Sequence, residues 1–199
     1  MPSPLGHALA GATIALLADR TGRRPGARGP DARQGFDLSI RLMACVLFAA
    51  LPDADLLFQS IHRAFTHSVG STALVIIIVT AVTGWVTDLR RGAGFGLLCG
   101  LAWGSHMVLD WLAADPNPPH GIKALWPFSD QWFTSGADLF RSTERRRIFS
   151  RDAILINARA AAQEIAILCP ALLAAVWWRR RARGGRGGAP PQRPAGGQA

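Results

Sequence analysis

The fold class this sequence predicts is an all-α, polytopic helical membrane protein, with three clear spans and up to five membrane-embedded helices. Three observations carry the prediction. Hydrophobic residues fill 49% of the 199 positions and charged residues only 18%, where an ordinary soluble domain holds about 25% charged. Three apolar runs of 18–19 residues punctuate the chain, each long enough at about 1.5 Å per residue to cross most of a hydrocarbon core roughly 30 Å thick. The net charge of +9 is almost wholly arginine, Lys123 being the sole lysine. Much of it lies in flanks and tail, where it meets anionic lipid more readily than DNA. A free cytosolic enzyme and a nucleic-acid binder are thereby disfavoured.

Taken in order, Pro4–Ala18 holds 15 residues without a formal charge. It reads as a short tilted, half-inserted or interfacial helix, without the basic leading region of a cleavable signal. Thr21–Gln34 is a Gly/Pro/Arg-rich connector. Leu42–Pro52 is a second short apolar segment, extendable if Arg41 snorkels. Val69–Thr87 is the clearest span. Its Val75–Val79 core would suit a strand, but its uninterrupted length favours a helix. Gly92–Leu109 is the next span. Residues 115–151 form a long polar loop with Pro116, Pro118 and Pro119, then Trp126-Pro127-Phe128. Ala160–Trp178 is the last span, with a kink expected at Pro170. Trp177-Trp178 followed by Arg179, Arg180 and Arg181 marks a water interface. The domain reading is therefore a membrane-embedded unit over 1–178 and a disordered basic tail over 179–199. Cys45, Cys99 and Cys169 sit inside apolar runs, as small buried residues do. If all five segments cross, 14 basic residues share the side of the tail and seven share the other. The tail is then cytoplasmic, although Arg145–Arg147 pull against that orientation.

In this topology the ionisable residues gather at the same ends of the apolar segments. His7 opens the first. Asp53 and Asp55 close the second in Leu-Pro-Asp-Ala-Asp. His62 and His67 precede the third in His-Arg-Ala-Phe-Thr-His-Ser. His106 and Asp110 close the fourth in Ser-His-Met-Val-Leu-Asp. Ionisable groups at membrane depth cost about 2.5–3.5 kcal/mol for Asp and usually serve a function. His106 and Asp110 stand four apart, on one face of a helix. Imidazole with carboxylate suits zinc, with iron or manganese as alternatives, and the absence of a nearby cysteine argues against a thiolate centre. The expected ligands are His7, Asp55, His67, His106 and Asp110, around one or two ions. Asp53 and His62 are placed as ligands, general base or orienting partners. Arg63 is placed beside them, either to hold a phosphate or as an interfacial anchor. Ser68 and Thr66, at a helix start, read more readily as caps than as nucleophiles.

Leu-Pro-Asp-Ala-Asp (51–55), His-Arg-Ala-Phe-Thr-His-Ser (62–68), Ser-His-Met-Val-Leu-Asp-Trp (105–111) and Leu-Trp-Pro-Phe (125–128) together resemble a family of bacterial inner-membrane metal-dependent hydrolases whose founding member is LexA-regulated. The likeness covers about residues 5–130, with Ala64 where members commonly carry Gly. It implies a polytopic helical protein of the inner membrane, a metal site built from these His and Asp residues, and hydrolysis, with phospholipids as a candidate substrate. LexA control does not carry over to this chain.

The function expected is thus metal-assisted hydrolysis at the membrane surface, on phospholipid or another phosphoester, with membrane lipids as partners and no nucleic acid. The competing readings are a non-enzymatic membrane protein that binds or transports a divalent metal, and a membrane adaptor working through its basic tail. A transporter needs ionisable groups near mid-membrane. The central parts of 69–87 and 92–109 have none.

Overall fold

The computed structural model describes residues 1–19, 36–57, 63–116, 118–145 and 149–184. Five α-helices run in the order α1 (Pro4–Ala18), α2 (Leu38–Ala50), α3 (Val69–Val86), α4 (Leu89–Trp111) and α5 (Arg151–Gly184), with a 3-10 segment, Leu51–Leu57, following α2. No β-strand occurs among the described residues. Isolated bridges join Ala113 to Phe140 and Ile122 to Phe133. Among the described residues, three helices are long and apolar enough to cross a membrane: Val69–Val86, Leu89–Trp111 and Arg151–Ala182, whose apolar 18-residue stretches have mean hydropathies of 2.1, 1.3 and 1.7.

Local chemistry sets the ends. Asp37 caps α2 by accepting Leu38 N–H at 2.8 Å. Pro52 cannot donate the next helical bond, so α2 tightens into the 3-10 segment that carries Asp53 and Asp55. Ser68 and Ser71 form a reciprocal capping box at the start of α3. Asp88 caps α4 through Arg91 N–H at 2.9 Å. α3 matches its apolar run to within one residue, whereas α4 and α5 outrun theirs, because the run marks only the hydrocarbon-facing part. α5 is the extreme case. It spans 34 residues, continues through Pro170 and includes Arg179–Gly184, which the sequence placed at the start of the tail. Residues 185–199 lie outside the described residues.

α3 and α4 form a tight antiparallel hairpin. Gly92, Gly96 and Gly100 present a stripe of missing side chains along one face of α4. A Cβ at Gly92 would come within 2.7 Å of Thr80 O, and one at Gly96 within 2.7 Å of Ile76 O. In lipid, where apolar burial drives little, such close backbone approach is what holds helices together. The outer face of α3 stays bare, with Ile77, Val82 and Trp85 exposed. α1 lies at the centre, against α2, α4 and α5. Small residues make that packing possible: Ala15, Cys45, Ala49 and Ala102 form one core cluster with Leu98. At its start, α1 is held by Glu164 of α5, whose carboxylate accepts Ser3 N–H at 2.6 Å and the Ser3 hydroxyl. The 115–145 segment folds back beneath α3. Ala124 and Trp126 carbonyls accept the amides of Val69 and Gly70 at 2.9 and 3.0 Å, and Ile122 and Phe140 are fully buried.

Candidate metal centre

The residues that bear chemistry sit at helix ends, and the packing brings those ends together. The α2-to-3-10 transition supplies Asp53 and Asp55. The turn before α3 supplies His67, pinned to α4 by Trp103, whose indole N–H donates to Thr66 O at 2.9 Å. The last turns of α4 supply His106 and Asp110. Asp53, His67, His106 and Asp110 each offer one ligand atom, and these four atoms lie within 4.8 Å of one another.

The distances have the form of a coordination polyhedron. His67 Nε2 is 3.0 Å from His106 Nε2 and 3.0 Å from Asp110 Oδ2. His106 Nε2 is 3.3 Å from Asp110 Oδ2. Asp53 Oδ1 stands 3.9 Å from His67 Nε2 and 3.7 Å from His106 Nε2. Ligands at 2.0–2.1 Å around tetrahedral zinc are separated by about 3.3–3.4 Å, the middle of this range. The three buried groups form the tight face. Asp53, with a side chain 12% exposed, closes the site loosely from outside.

The histidine tautomers are set from behind. His106 Nδ1 donates to Ala49 O at 2.7 Å. A carbonyl can only accept, so neutral His106 turns a bare Nε2 lone pair inward. Behind His67, Asp55 Oδ2 lies 3.4 Å from Nδ1 and also accepts Arg63 N–H at 3.0 Å and the Thr66 hydroxyl. This carboxylate–histidine arrangement commonly backs metal ligands. Two imidazole lone pairs and two carboxylates facing one point need a cation or a proton between them. Burial works against a charged His67, but hydrogen bonds and charge from Asp110 and Asp55 outweigh it and raise its pKa to about 9. His7 Nδ1 and Nε2, Asp53 Oδ1 and Asp110 Oδ1 are buried without a hydrogen-bond partner, as is Arg63 Nε. Apart from Arg63 Nε, these orphaned atoms, rare in native interiors, surround this point. The donor set therefore fits a divalent metal of the zinc, manganese or iron kind.

The other expected site residues are placed as follows. His7 is fully buried, stacks on His106 with ring centroids 3.7 Å apart, and holds Nε2 3.6 Å from Asp110 Oδ1. It flanks the four-atom cluster. Asp55 lies behind His67, and Asp53 takes the inward position the sequence assigned to Asp55. One residue of 3-10 geometry separates the two, and spacing alone does not say which carboxylate turns in. His62 lies outside the described residues. Arg63 adopts a left-handed backbone, φ 63°, with its guanidinium paired to Asp115 and its residue 8% exposed. It ties Asp55, Asp115 and, through Lys123 N–H, the loop into one scaffold. The Ser68 hydroxyl donates to Phe65 O and accepts Ser71 N–H, so it caps α3.

Sequence reasoning passed over Glu164, treating it as an interruption of a span, and read Arg145 only as part of a basic cluster. Arg145 Nη2 lies 3.6 Å from Asp53 Oδ2, beside a cavity of about 620 Å³. The Gly92/Gly96/Gly100 spacing was a legible signal for helix packing.

Among curated proteins, the chain is 40% identical over 70 residues to the rhomboid protease GlpG of Yersinia pseudotuberculosis. The likeness covers 33% of this chain and 25% of that protein, so the chain matches about a quarter of its length. No solved structure matches. The family model that matches describes the YdjM inner membrane protein and aligns with residues 1–183, taking in α1 to α4, all of α5 but its last residue, and every residue of the cluster. With three helices apolar enough to span, the chain is a bacterial inner-membrane protein and belongs to the YdjM inner membrane protein family.

Proposed function

We propose that this protein is a membrane-bound, metal-dependent hydrolase acting at the membrane surface on a phosphoester carried by lipid, with zinc as the best-fitting ion. The observation that carries the reading is the convergence of Asp53, His67, His106 and Asp110 into a ligand polyhedron whose histidines are both oriented from behind. Three buried ligands with a looser fourth, Asp53, facing a cavity favour a catalytic over a closed structural site, since catalytic sites keep a position for water or substrate. A bound divalent ion would supply a water acidified to near pKa 7 and neutralise charge developing on an oxygen. The protein's part is to orient and to move protons. His106 and His67 keep Nε2 inward, Asp110 turns Oδ2 to the centre, and His7 holds an unpartnered ring within reach of Asp110 Oδ1 for proton transfer.

In the membrane, α3 and α4 cross as a hairpin and α5 crosses back, placing the cluster on one side and the tail after Trp178 on the other, the cytoplasmic side. A protein that binds or transports a metal without catalysis remains the second reading. The cluster's place at helix ends, with no ionisable side chain in the middle of α3, favours surface chemistry.

The test is elemental analysis of detergent-purified protein, then release of phosphate or phosphorylated headgroup from mixed micelles, with peptide and acyl-ester substrates as parallel arms. The peptide arm is prompted by the name of the rhomboid relative. Metal bound at one or more per chain, and phosphoester turnover lost in His67→Ala and Asp110→Ala, is the expected result. Turnover equal in wild type and both variants would overturn the assignment.

A further inference from the structure

The cavity beside the cluster has two contrasting parts. Its walls are Leu47, Leu51 and Leu56 with intervening alanines, and its polar lining is Ser3, Asp53, Thr143, Glu144, Arg145 and Asn157. Its volume of about 620 Å³ lies within the roughly 300–1,000 Å³ of small-molecule sites. Leu47 and Leu51 are 55% and 40% exposed, so the apolar wall continues onto the outer surface of a protein of the membrane. Asp53 joins the two regions: Oδ1 faces the histidines and Oδ2 faces Arg145. The Arg145 guanidinium makes its contacts to Asp53, Pro2 O and Thr143 at 3.5–3.6 Å, the long limit for such bonds, which leaves its five-donor fork able to take a ligand anion bidentately. Asn157 of α5 clamps its loop, bonding the Glu144 amide and carbonyl at 2.8 and 2.9 Å.

We propose that this cavity binds one hydrocarbon chain of an anionic, single-phosphate lipid, with Arg145 holding the phosphate beside Asp53. The proposal rests on the hydrolase reading and names its substrate class. A lipid is favoured over a soluble phosphoester because the walls are apolar and open on the outer surface, so a chain can enter while the rest of the molecule stays in the bilayer. An anionic lipid is favoured over a glyceride because a guanidinium, not a neutral donor, stands where the chain's polar end meets the cluster. Arg145 thus selects charge, and Leu47, Leu51 and Leu56 select the chain.

The experiment uses full-length, zinc-loaded protein in detergent and two photoreactive probes with the same chain: an alkylphosphonate, whose C–P bond resists hydrolysis, and a neutral monoacylglycerol. The phosphonate is expected to label the segment from Leu47 to Leu56, inorganic phosphate to compete weakly, and Arg145→Gln to reduce phosphonate labelling by about tenfold to a hundredfold while leaving the neutral probe unchanged. Leu51→Trp, or Leu47→Trp if the first misfolds, fills the cavity and lowers labelling by both probes, with zinc content retained. Equal labelling by the two probes, equal loss of both in Arg145→Gln, labelling that survives the tryptophan, or phosphate competing as well as the alkylphosphonate would each overturn the proposal. Because labelling requires no turnover, specific labelling without hydrolysis of any ester would defeat the hydrolase reading alone. Turnover with labelling elsewhere would defeat only this assignment.

Discussion

Replacing Asp55 by asparagine removes one charge from behind His67 while keeping the shape of the side chain. Asp55 Oδ2 faces the Arg63 amide at 3.0 Å, the Thr66 hydroxyl and His67 Nδ1 at 3.4 Å. An asparagine oxygen in that position keeps the geometry but weakens the bond to His67, because charge-assisted bonds are about twice as strong as neutral ones. Partners of this kind are worth about 10–100-fold in metal affinity. The retained oxygen puts Asp55→Asn at the low end, about tenfold or ~1.4 kcal/mol. The loss depends on pH in a definite direction. Without metal, Asp55 and Asp110 raise the His67 pKa to about 9, so below that pH a metal must displace a proton, and affinity rises with pH until His67 is deprotonated. Removing the Asp55 charge lowers that pKa and eases the displacement. The deficit of the variant is therefore partly masked near pH 6.5 and fully shown near pH 9. Zinc titration against a chelator of known affinity, across that range, measures it. Asp53→Asn, which alters an inward-facing ligand atom, should lose considerably more affinity at every pH. A metal site abolished by Asp55→Asn and untouched by Asp53→Asn would refute the assignment of the two carboxylates.

Three further outcomes follow from the packing. Gly96→Leu would drive a side chain into Ile76 O and Thr80 of α3, so we expect at least the 1–3 kcal/mol typical of overpacking, read as a lower unfolding midpoint in detergent; an unchanged midpoint would mean the hairpin is looser than described. Glu164→Ala strips the start of α1 of its buried acceptor and should cost about 1–3 kcal/mol, with Glu164→Gln losing less because it still accepts Ser3 N–H; equal melting of all three proteins would remove Glu164 from that role. Single cysteines at the exposed positions Phe65 and His120 should label from one side of the membrane and one at Gly184 from the other. Labelling of 65 and 184 from the same side would mean that one of the proposed spans does not cross.

Residue chemistry and spacing along the chain set the class of structure and the neighbourhood of the site. Uninterrupted apolar length makes Val69–Val86 a helix despite its β-branched core, because a lone backbone in lipid must satisfy its own hydrogen bonds. The His106/Asp110 pair was legible because four residues return a helix to the same face. The tertiary structure alone decided what depends on rotation and on distant partners. Whether Asp53 or Asp55 turns inward follows from the tightening of the chain at Pro52, and no periodicity in the sequence records it. The Ala49 carbonyl behind His106 carries no sequence signature, since every residue has one. Arg63 and Arg145 look equivalent as letters. Asp115, fifty-two positions away, pairs with the first, while the fold sets the second beside Asp53 at 3.6 Å. Periodicity and length act locally and survive in the sequence. Charge pairing and ligand convergence act through space, so they exist only once α1, α2 and α4 have packed their ends together.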